Sequence, residues 1–311
     1  MTRRPASRRP PKLEDLPEPA EPRMRTQGLR EQVTRTRITG SHARLGRTEL
    51  LSMMRRLRDG ERSTLWGLDP FPGLELDEIF DVAREQWGWT HGEAKVAIGP
   101  DRTREALASA LALMDAVARD GGRIAFATGR PASMLPLLQK LAARARAGGA
   151  DVVVEQQSGE FRSDGRSGRR LWWVGDVAVI TDGRHLLAQT AVDAVDEWLF
   201  WMPRPRLVVA DSGFAAGAVR DGIETVALAD YDALALGVAR SRGRPVAVVP
   251  MDLSRAPYGY GIVLAWADQL AAALGNEAVG AGSERAAPAA EARAEAAERV
   301  GLDSTRDAET A

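Results

Sequence analysis

Five short apolar runs in the chain each end in residues that could do chemistry. Arg123–Ala127 (RIAFA) leads into Thr128-Gly129-Arg130-Pro131. Val177–Thr181 (VAVIT) leads into Asp182-Gly183, and Arg206–Ala210 (RLVVA) into Asp211-Ser212-Gly213. Ile223–Leu228 runs on to Asp230, and Pro245–Val249 (PVAVV) to Pro250-Met251-Asp252. A small residue and a glycine at a strand-to-helix turn leave backbone N–H groups free at a helix N-terminus. Beside a planar guanidinium such as Arg130, that arrangement suits a phosphate or carboxylate. Converging carboxylates either hold a hard divalent cation or raise one another's pKa for acid–base work. The plainer alternatives are that Gly129 only permits a turn and that each Asp caps the following helix.

Ser212 stands where a nucleophile elbow would put its serine, but Ala210 and Phe214 replace the flanking glycines of G-x-S-x-G. The three histidines (His42, His91, His185) all precede Ser212, so the order Ser…Asp…His is unavailable. His185 follows the same strand end as Asp182 and could act in proton transfer or touch phosphate. The chain has no G-x-G-x-x-G and no G-x-x-x-x-G-K-[ST], so dinucleotide and P-loop binding are unsupported. The D-x-D-x-[TV] and R-H-G phosphatase signatures are also missing. With no cysteine, disulfides, thiolate metal sites and cysteine nucleophiles are excluded.

The elements that must position these residues follow from periodicity. Thr48–Arg58 puts Leu50, Leu51, Met54 and Leu57 on one helical stripe. Thr64–Leu68 reads as a strand or extended loop, Leu76–Trp87 as a helix, and Pro100–Asp120 as a helix N-capped by Asp101. From Arg123 the pattern becomes apolar runs alternating with helices, interrupted by a hairpin over Phe161–Gly175. Fully apolar strands alternating with helices indicate an α/β fold, a Rossmann-like three-layer domain with a mostly parallel sheet. The expected organisation is a helical region over 38–120, the α/β domain over 121–274, and tails over 1–37 and 275–311. The helical region is expected at the sheet edge or over the ligand crevice.

Both tails are poor in aromatic and large aliphatic side chains and read as disordered. Residues 1–40 carry ten Lys and Arg against five Asp and Glu, whereas residues 276–311 carry four Arg against eight acids. The formal net charge is −1, which gives no global field for nucleic acid or an anionic membrane. No apolar run is long enough to span a bilayer and no signal peptide is recognisable, so a cytoplasmic location is expected.

Several segments together resemble an actinobacterial phosphatase family. They are Arg35-Thr36-Arg37-Ile38-Thr39-Gly40, Ile98 to Thr103 (I-x-P-D-R-T), Ala127 to Pro131 (A-T-G-R-P), Val209 to Gly213 (V-A-D-S-G), Gly222 to Asp230 and Val249 to Asp252 (V-P-M-D). The resemblance covers residues 32–274 and implies phosphatase activity without assigning its residues. A fainter likeness ties Asp211-Ser212-Gly213 to metal-dependent phosphatases whose turn reads D-N-x-G-E. Here Ser replaces the Asn and the Glu is missing.

The expected function is hydrolysis of a small phosphomonoester, with a small phosphorylated molecule as partner and a homo-oligomer compatible. Thr128, Gly129, Arg130, Ser212 and Gly213 are expected to hold the phosphate. Asp211, Asp182 and His185 are the expected catalytic groups, and Asp211, Asp230 and Asp252 the expected ligands of Mg²⁺ or Mn²⁺. The competing expectation is a non-catalytic phosphosugar or nucleotide-binding module of sugar-isomerase type, which the same T-G-R-P turn would serve.

Overall fold

The computed structural model describes residues 36–42, 44–154, 160–163, 166–188 and 192–269. Both charged tails, and the end of the last helix expected at Leu274, lie outside the described residues. The N-terminal part begins with strand β1 (Gly40–Ser41) and continues through helices α1 (Arg47–Arg58), α2 (Arg62–Leu65) and α3 (Leu76–Val82). Strand β2 (Ala97–Ile98) then pairs antiparallel with β1. On α1 the residues that go inward are Leu50, Met54 and Leu57, as their spacing requires.

Three local expectations need correction. Thr64–Leu68 forms no strand: α2 is helical, and Trp66 ends it in the left-handed region at φ 54°. The indole N–H of Trp66 then reaches the Asp232 carbonyl at 2.5 Å, a long-range contact that local composition does not encode. The helix expected to run to Trp87 is regular only to Val82 and widens into a π-turn over Ala83–Trp87, closed by left-handed Gly88. Asp101 is not an N-cap. Gly99 takes that place, and Pro100 opens the helix with the φ that its ring already fixes.

The rest alternates strand and helix. In order come α4 (Pro100–Arg119), β3 (Arg123–Ala127), α5 (Pro131–Ala147), β4 (Asp151–Val152), β5 (Glu160–Ser163), β6 (Arg166–Val174), β7 (Val177–Thr181) and β8 (Leu186–Leu187). Then come α6 (Val192–Trp201), β9 (Leu207–Asp211), α7 (Ser212–Arg220), β10 (Glu224–Ala229), α8 (Leu234–Ser241) and β11 (Val246–Pro250). A last helix covers 261–269. The sheet order is β11-β10-β9-β3-β7-β6-β5, with β4 beside β3 and β8 beside β7. The pairs β3/β4, β3/β7, β3/β9, β9/β10 and β10/β11 are parallel, and the β5–β6 hairpin adds an antiparallel edge.

Alternate residues of the central strands enter opposite cores. Ala125, Ala127, Val208 and Ala210 meet the side that includes Trp87, Phe214 and Leu236. Ile124, Phe126, Leu207 and Val209 meet the side that includes Leu111, Leu138 and Trp266. This is the Rossmann-like three-layer arrangement. Its direction of travel reverses between β3 and β9, because β4 and β7 share one edge of β3 and β9 takes the other. Such a switch point opens a crevice outside the carboxyl ends of the strands. No helix among the described residues is long and apolar enough to cross a membrane.

The N-terminal part packs on the sheet at two places. Residues 36–42 cross the strand ends, where the Asp252 N–H donates to the Ile38 carbonyl at 2.9 Å. Trp87 stacks on Tyr231 at 5.8 Å and lies against α8. A Cβ on Gly237 would come within 2.7 Å of both Trp87 Cζ3 and Val82 Cγ1. Gly237→Val should therefore destabilise the protein by about 1–3 kcal/mol through overpacking. A lowered urea midpoint is the expected result; an unchanged one would mean that α3 does not pack on α8.

Candidate functional site

The switch point is built on one buried carboxylate. Asp211 ends β9, fully buried, and receives the Thr128 hydroxyl on Oδ2 and the Gly129 N–H on Oδ1 at 2.8 Å. The Thr128 Oγ1 also accepts the Arg130 N–H at 2.9 Å. Residue 131 is proline and has no N–H. The backbone donors of the 128–130 turn are thus bonded inside the protein, and Thr128 and Ser212 are both fully buried. Gly213 is buried as well. Of the groups expected to cradle a phosphate, the Thr128 hydroxyl and the Thr128 and Gly129 N–H groups are thus engaged inside the protein, and the Ser212 hydroxyl meets Arg130 Nε.

Arg130 is what the turn presents outward. Its Nε donates to Ser212 Oγ at 3.2 Å, and its Nη2 pairs with Asp232. Ser212 reaches it from a left-handed backbone, φ 43°, a conformation that costs a non-glycine residue energy and persists only where surroundings impose it. Burial works against the Arg130 charge, but the carboxylates of Asp232, Asp211 and Asp230 outweigh it and hold its pKa above the ordinary value. Burial likewise raises the Asp232 pKa, opposed by the Arg130 charge. For Asp211, burial pushes the carboxyl up to about 6, against the Thr128 hydrogen bond, the Arg130 charge and the Gly129 N–H.

A second group lies beside this one. His42 Nε2 is 3.1 Å from Asp230 Oδ1 and 3.9 Å from Asp252 Oδ2. Asp230 also accepts the Tyr231 N–H at 2.7 Å and the Leu253 N–H at 3.4 Å. Asp252 accepts the Ser254 N–H at 2.9 Å. Its Oδ2 lies 2.6 Å from Arg255 Nη2, close enough for an ion pair although neither atom has an aligned hydrogen bond. Among the described residues, His42, Asp230 and Asp252 form a group whose ligand atoms lie within 4.8 Å of one another and could hold a metal ion. This set differs from the expected one. Both Asp211 oxygens are engaged by Thr128 and Gly129, and His42 takes its place.

The hydrogen bonds around His42 fix its tautomer. Nδ1 accepts the Leu45 N–H at 2.9 Å and the Arg44 N–H at 3.3 Å, so the neutral ring carries its proton on Nε2, facing Asp230. A metal-bound histidine normally donates its other N–H to an acceptor, and here that nitrogen faces donors. Burial lowers the His42 pKa, but the hydrogen bond and charge of Asp230, then the charge of Asp252, raise it above the ordinary value despite Arg255.

Asp182 and His185 do not join either group. After β7 the chain turns back into antiparallel β8 instead of entering a helix. Asp182 therefore caps its own turn, accepting the His185 and Arg184 N–H groups at 2.7 and 2.8 Å, and the first of these bonds leads in lowering its pKa. The His185 side chain is 75% exposed. Sequence reasoning missed His42 and Asp232. Asp232 had a signal, the acid pair two residues apart in Asp230-Tyr231-Asp232, where the 3₁₀ turn Tyr231–Ala233 brings the second carboxylate back toward Arg130. His42 had none, because a strand crossing from the N-terminal part delivers it.

Two cavities open here. The inner one, about 170 Å³, is lined by acids Glu49, Asp230 and Asp232 with His42 and Arg130. The outer one, about 450 Å³, is lined by Arg44, Arg130 and Arg255 with small and apolar residues. Arg44, Arg130 and Ser254 border both.

Comparison with known proteins gives a consistent picture. The family model described as Phosphatase matches residues 24–267. The chain is also similar to Phosphatase SCO2771 of Streptomyces coelicolor (strain ATCC BAA-471 / A3(2) / M145), with 30% identity over 234 residues, 72% of this chain and 87% of that protein. No solved structure matches the chain.

The Asp211 environment has a pH signature. Its carboxyl titrates near 3.8 when free and near 6 when folded, so the native state holds the proton more readily than the unfolded chain. Below the free value its burial carries no charge penalty. As pH rises through 6 the native state loses about 3 kcal/mol from this group, at about 1.4 kcal/mol per pKa unit. Asp211→Asn cannot ionise, so its stability relative to the parent should rise between pH 4 and pH 7. Urea unfolding of both proteins across that range checks this; parallel profiles would show that Asp211 does not titrate there.

Proposed function

This chain belongs to the Phosphatase family, and from that premise we propose that it hydrolyses a small phosphomonoester whose phosphate binds the Arg130 side chain. The observation that carries the reading is the placement of Arg130. It is a charged guanidinium at the switch point, 19% exposed, bordering both cavities and held in orientation from behind by Ser212. A planar fork so oriented suits bidentate contact with phosphate. Asp211, Thr128, Gly129 and Ser212 then act as positioning residues, shaping the turn without touching substrate.

Phosphoryl transfer passes through a loose transition state, so positioning and charge stabilisation supply most of the catalysis. An incoming phosphate replaces Asp232 as the partner of Arg130. Asp232 is left beside an anion, and like-charge repulsion favours its protonated form. It takes up a proton and can deliver it to the leaving oxygen as water attacks phosphorus and the ester P–O bond breaks, and the proton that the water sheds returns to the Asp232 carboxylate. The His42–Asp230 pair holds the N-terminal crossing against the strand ends. No step passes through a metal ion at His42, Asp230 and Asp252, since Leu45 and Arg44 donate to Nδ1 and Asp230 is already met by three donors.

Two measurements test this. Arg130→Ala should lower kcat/KM on phosphate monoesters by about ten- to a hundredfold, the loss of a charge-assisted contact worth roughly 1.5–3 kcal/mol. Arg130→Lys should recover part of it, and Asp232→Asn should reduce kcat more than it weakens phosphate binding. Full activity in Arg130→Ala would remove the phosphate from this turn. Protein treated with a chelator should retain its turnover; restoration by Mg²⁺ or Mn²⁺ of a lost activity would instead assign an ion to the His42 group. Binding of phosphonates with no turnover of any ester would favour a non-catalytic phosphosugar or nucleotide-binding module.

A further inference from the structure

The two cavities differ in charge in a way that the phosphate alone does not use. The inner cavity carries acids, whereas the outer one has three arginines on its walls and neither Asp nor Glu. Two of those arginines already have carboxylate partners, Arg130 with Asp232, which lines the inner cavity, and Arg255 with the buried Asp252. Arg44 is exposed and has no ion pair among the described residues, and it borders both cavities. The opposite side is formed by the start of α5. There Ala132 is an exposed residue whose N–H makes no hydrogen bond among the described residues, while Leu253, Ala256 and Pro257 offer apolar contact. A helix N-terminus favours negative charge, and here it faces the same space as an unpaired cation.

We infer that the substrate is a phosphomonoester bearing a second anionic group, a carboxylate or another phosphate, which the outer cavity binds through Arg44 and Arg255. The inference rests on the reading that Arg130 holds the ester phosphate, and it adds the class of molecule attached to that phosphate. A volume of about 450 Å³ lies toward the small end of ligand sites, which span roughly 300–1,000 Å³. It admits a short carbon skeleton over Leu253 and Pro257. A neutral tail would leave Arg44 without a counter-ion, so the discrimination acts against uncharged alcohols esterified to phosphate.

Phosphonates, which cannot be hydrolysed, separate this inference from catalysis. Calorimetric titration of the full chain would compare butylphosphonate, 3-phosphonopropionate and propane-1,3-diylbisphosphonate. The two second-anion probes should bind about tenfold or more tightly than butylphosphonate, the gain of one charge-assisted contact. Which of the two binds better distinguishes carboxylate from phosphate. Arg44→Ala, a change at an exposed and unpaired side chain, should close most of that gap, and Arg44→Lys should restore part of it. Equal binding of all three probes, a gap that survives Arg44→Ala, or no binding of any probe would overturn the inference. If the gap is present and no ester is turned over, the catalytic reading fails while the second-anion site stands.

Discussion

The Asp211 carboxylate holds the end of β9 to the end of β3, and the geometry of the crevice depends on it. A buried carboxylate without partners would be costly, and here two donors from one turn meet its two oxygens. The same bonds bend Thr128–Arg130 so that the chain enters α5 with the Arg130 side chain directed out of the crevice floor. They also place Ser212 at the head of α7 in a left-handed conformation, within reach of Arg130 Nε. One anion in the protein's interior thus sets the orientation of one cation at its surface. The cation in turn helps the anion to be tolerated, since after the Thr128 hydrogen bond it is the Arg130 charge that draws the Asp211 pKa back down against burial.

The N-terminal part does more than cover a core. Its first described residues run along the ends of β10 and β11, fastened by the Ile38 carbonyl, by the Arg37 carbonyl bonded to Arg255 Nε at 3.2 Å, and by His42 on Asp230. That crossing closes one side of the inner cavity and carries Arg44 to its rim. Helices α1 to α3 anchor it from the other side of the sheet, where Trp66 and Trp87 contact the same short turn after β10 that contains Asp232. The groups that line the two cavities therefore come from two sources: a rigid sheet edge, and a strap that the helical region holds in place.

Much of this was legible from strand periodicity alone. The runs RIAFA, VAVIT, RLVVA and PVAVV became sheet strands within a residue or two of their expected bounds, because side chains buried on both faces leave no polar position to confuse the pattern. The strand-end rule also placed Arg130, Asp211, Ser212, Asp230 and Asp252 together. What the rule could not distinguish was a side chain pointing into the crevice from one pointing into the floor beneath it. Asp211 and Asp230 come after similar apolar runs, yet one is enclosed by Thr128 and Gly129 and the other meets the strap. Pairing decides this, and pairing across 82 or 188 residues leaves no local mark.

Asp182 shows the limit of the rule from the other direction. The segment after a parallel strand decides what an acid at its end does: at β9 the chain goes on into α7, and Asp211 braces the Thr128–Arg130 turn at the floor of the crevice. At β7 the chain reverses into β8, and the same residue type at the same strand position becomes the cap of a β-turn. The difference lies in the downstream residues: Asp182-Gly183-Arg184-His185 has no apolar helical stripe after it, whereas Asp211 precedes Phe214, Ala215 and Ala218, all buried on α7. Strand-end chemistry in an α/β fold is thus specified jointly by the polar residue and by the amphipathic segment after it. Of the five strand ends singled out in the sequence, β3 and β9 lead directly into helices beside the switch point, and Thr128 and Ser212 from those ends, with Asp232 after β10, set the position of Arg130.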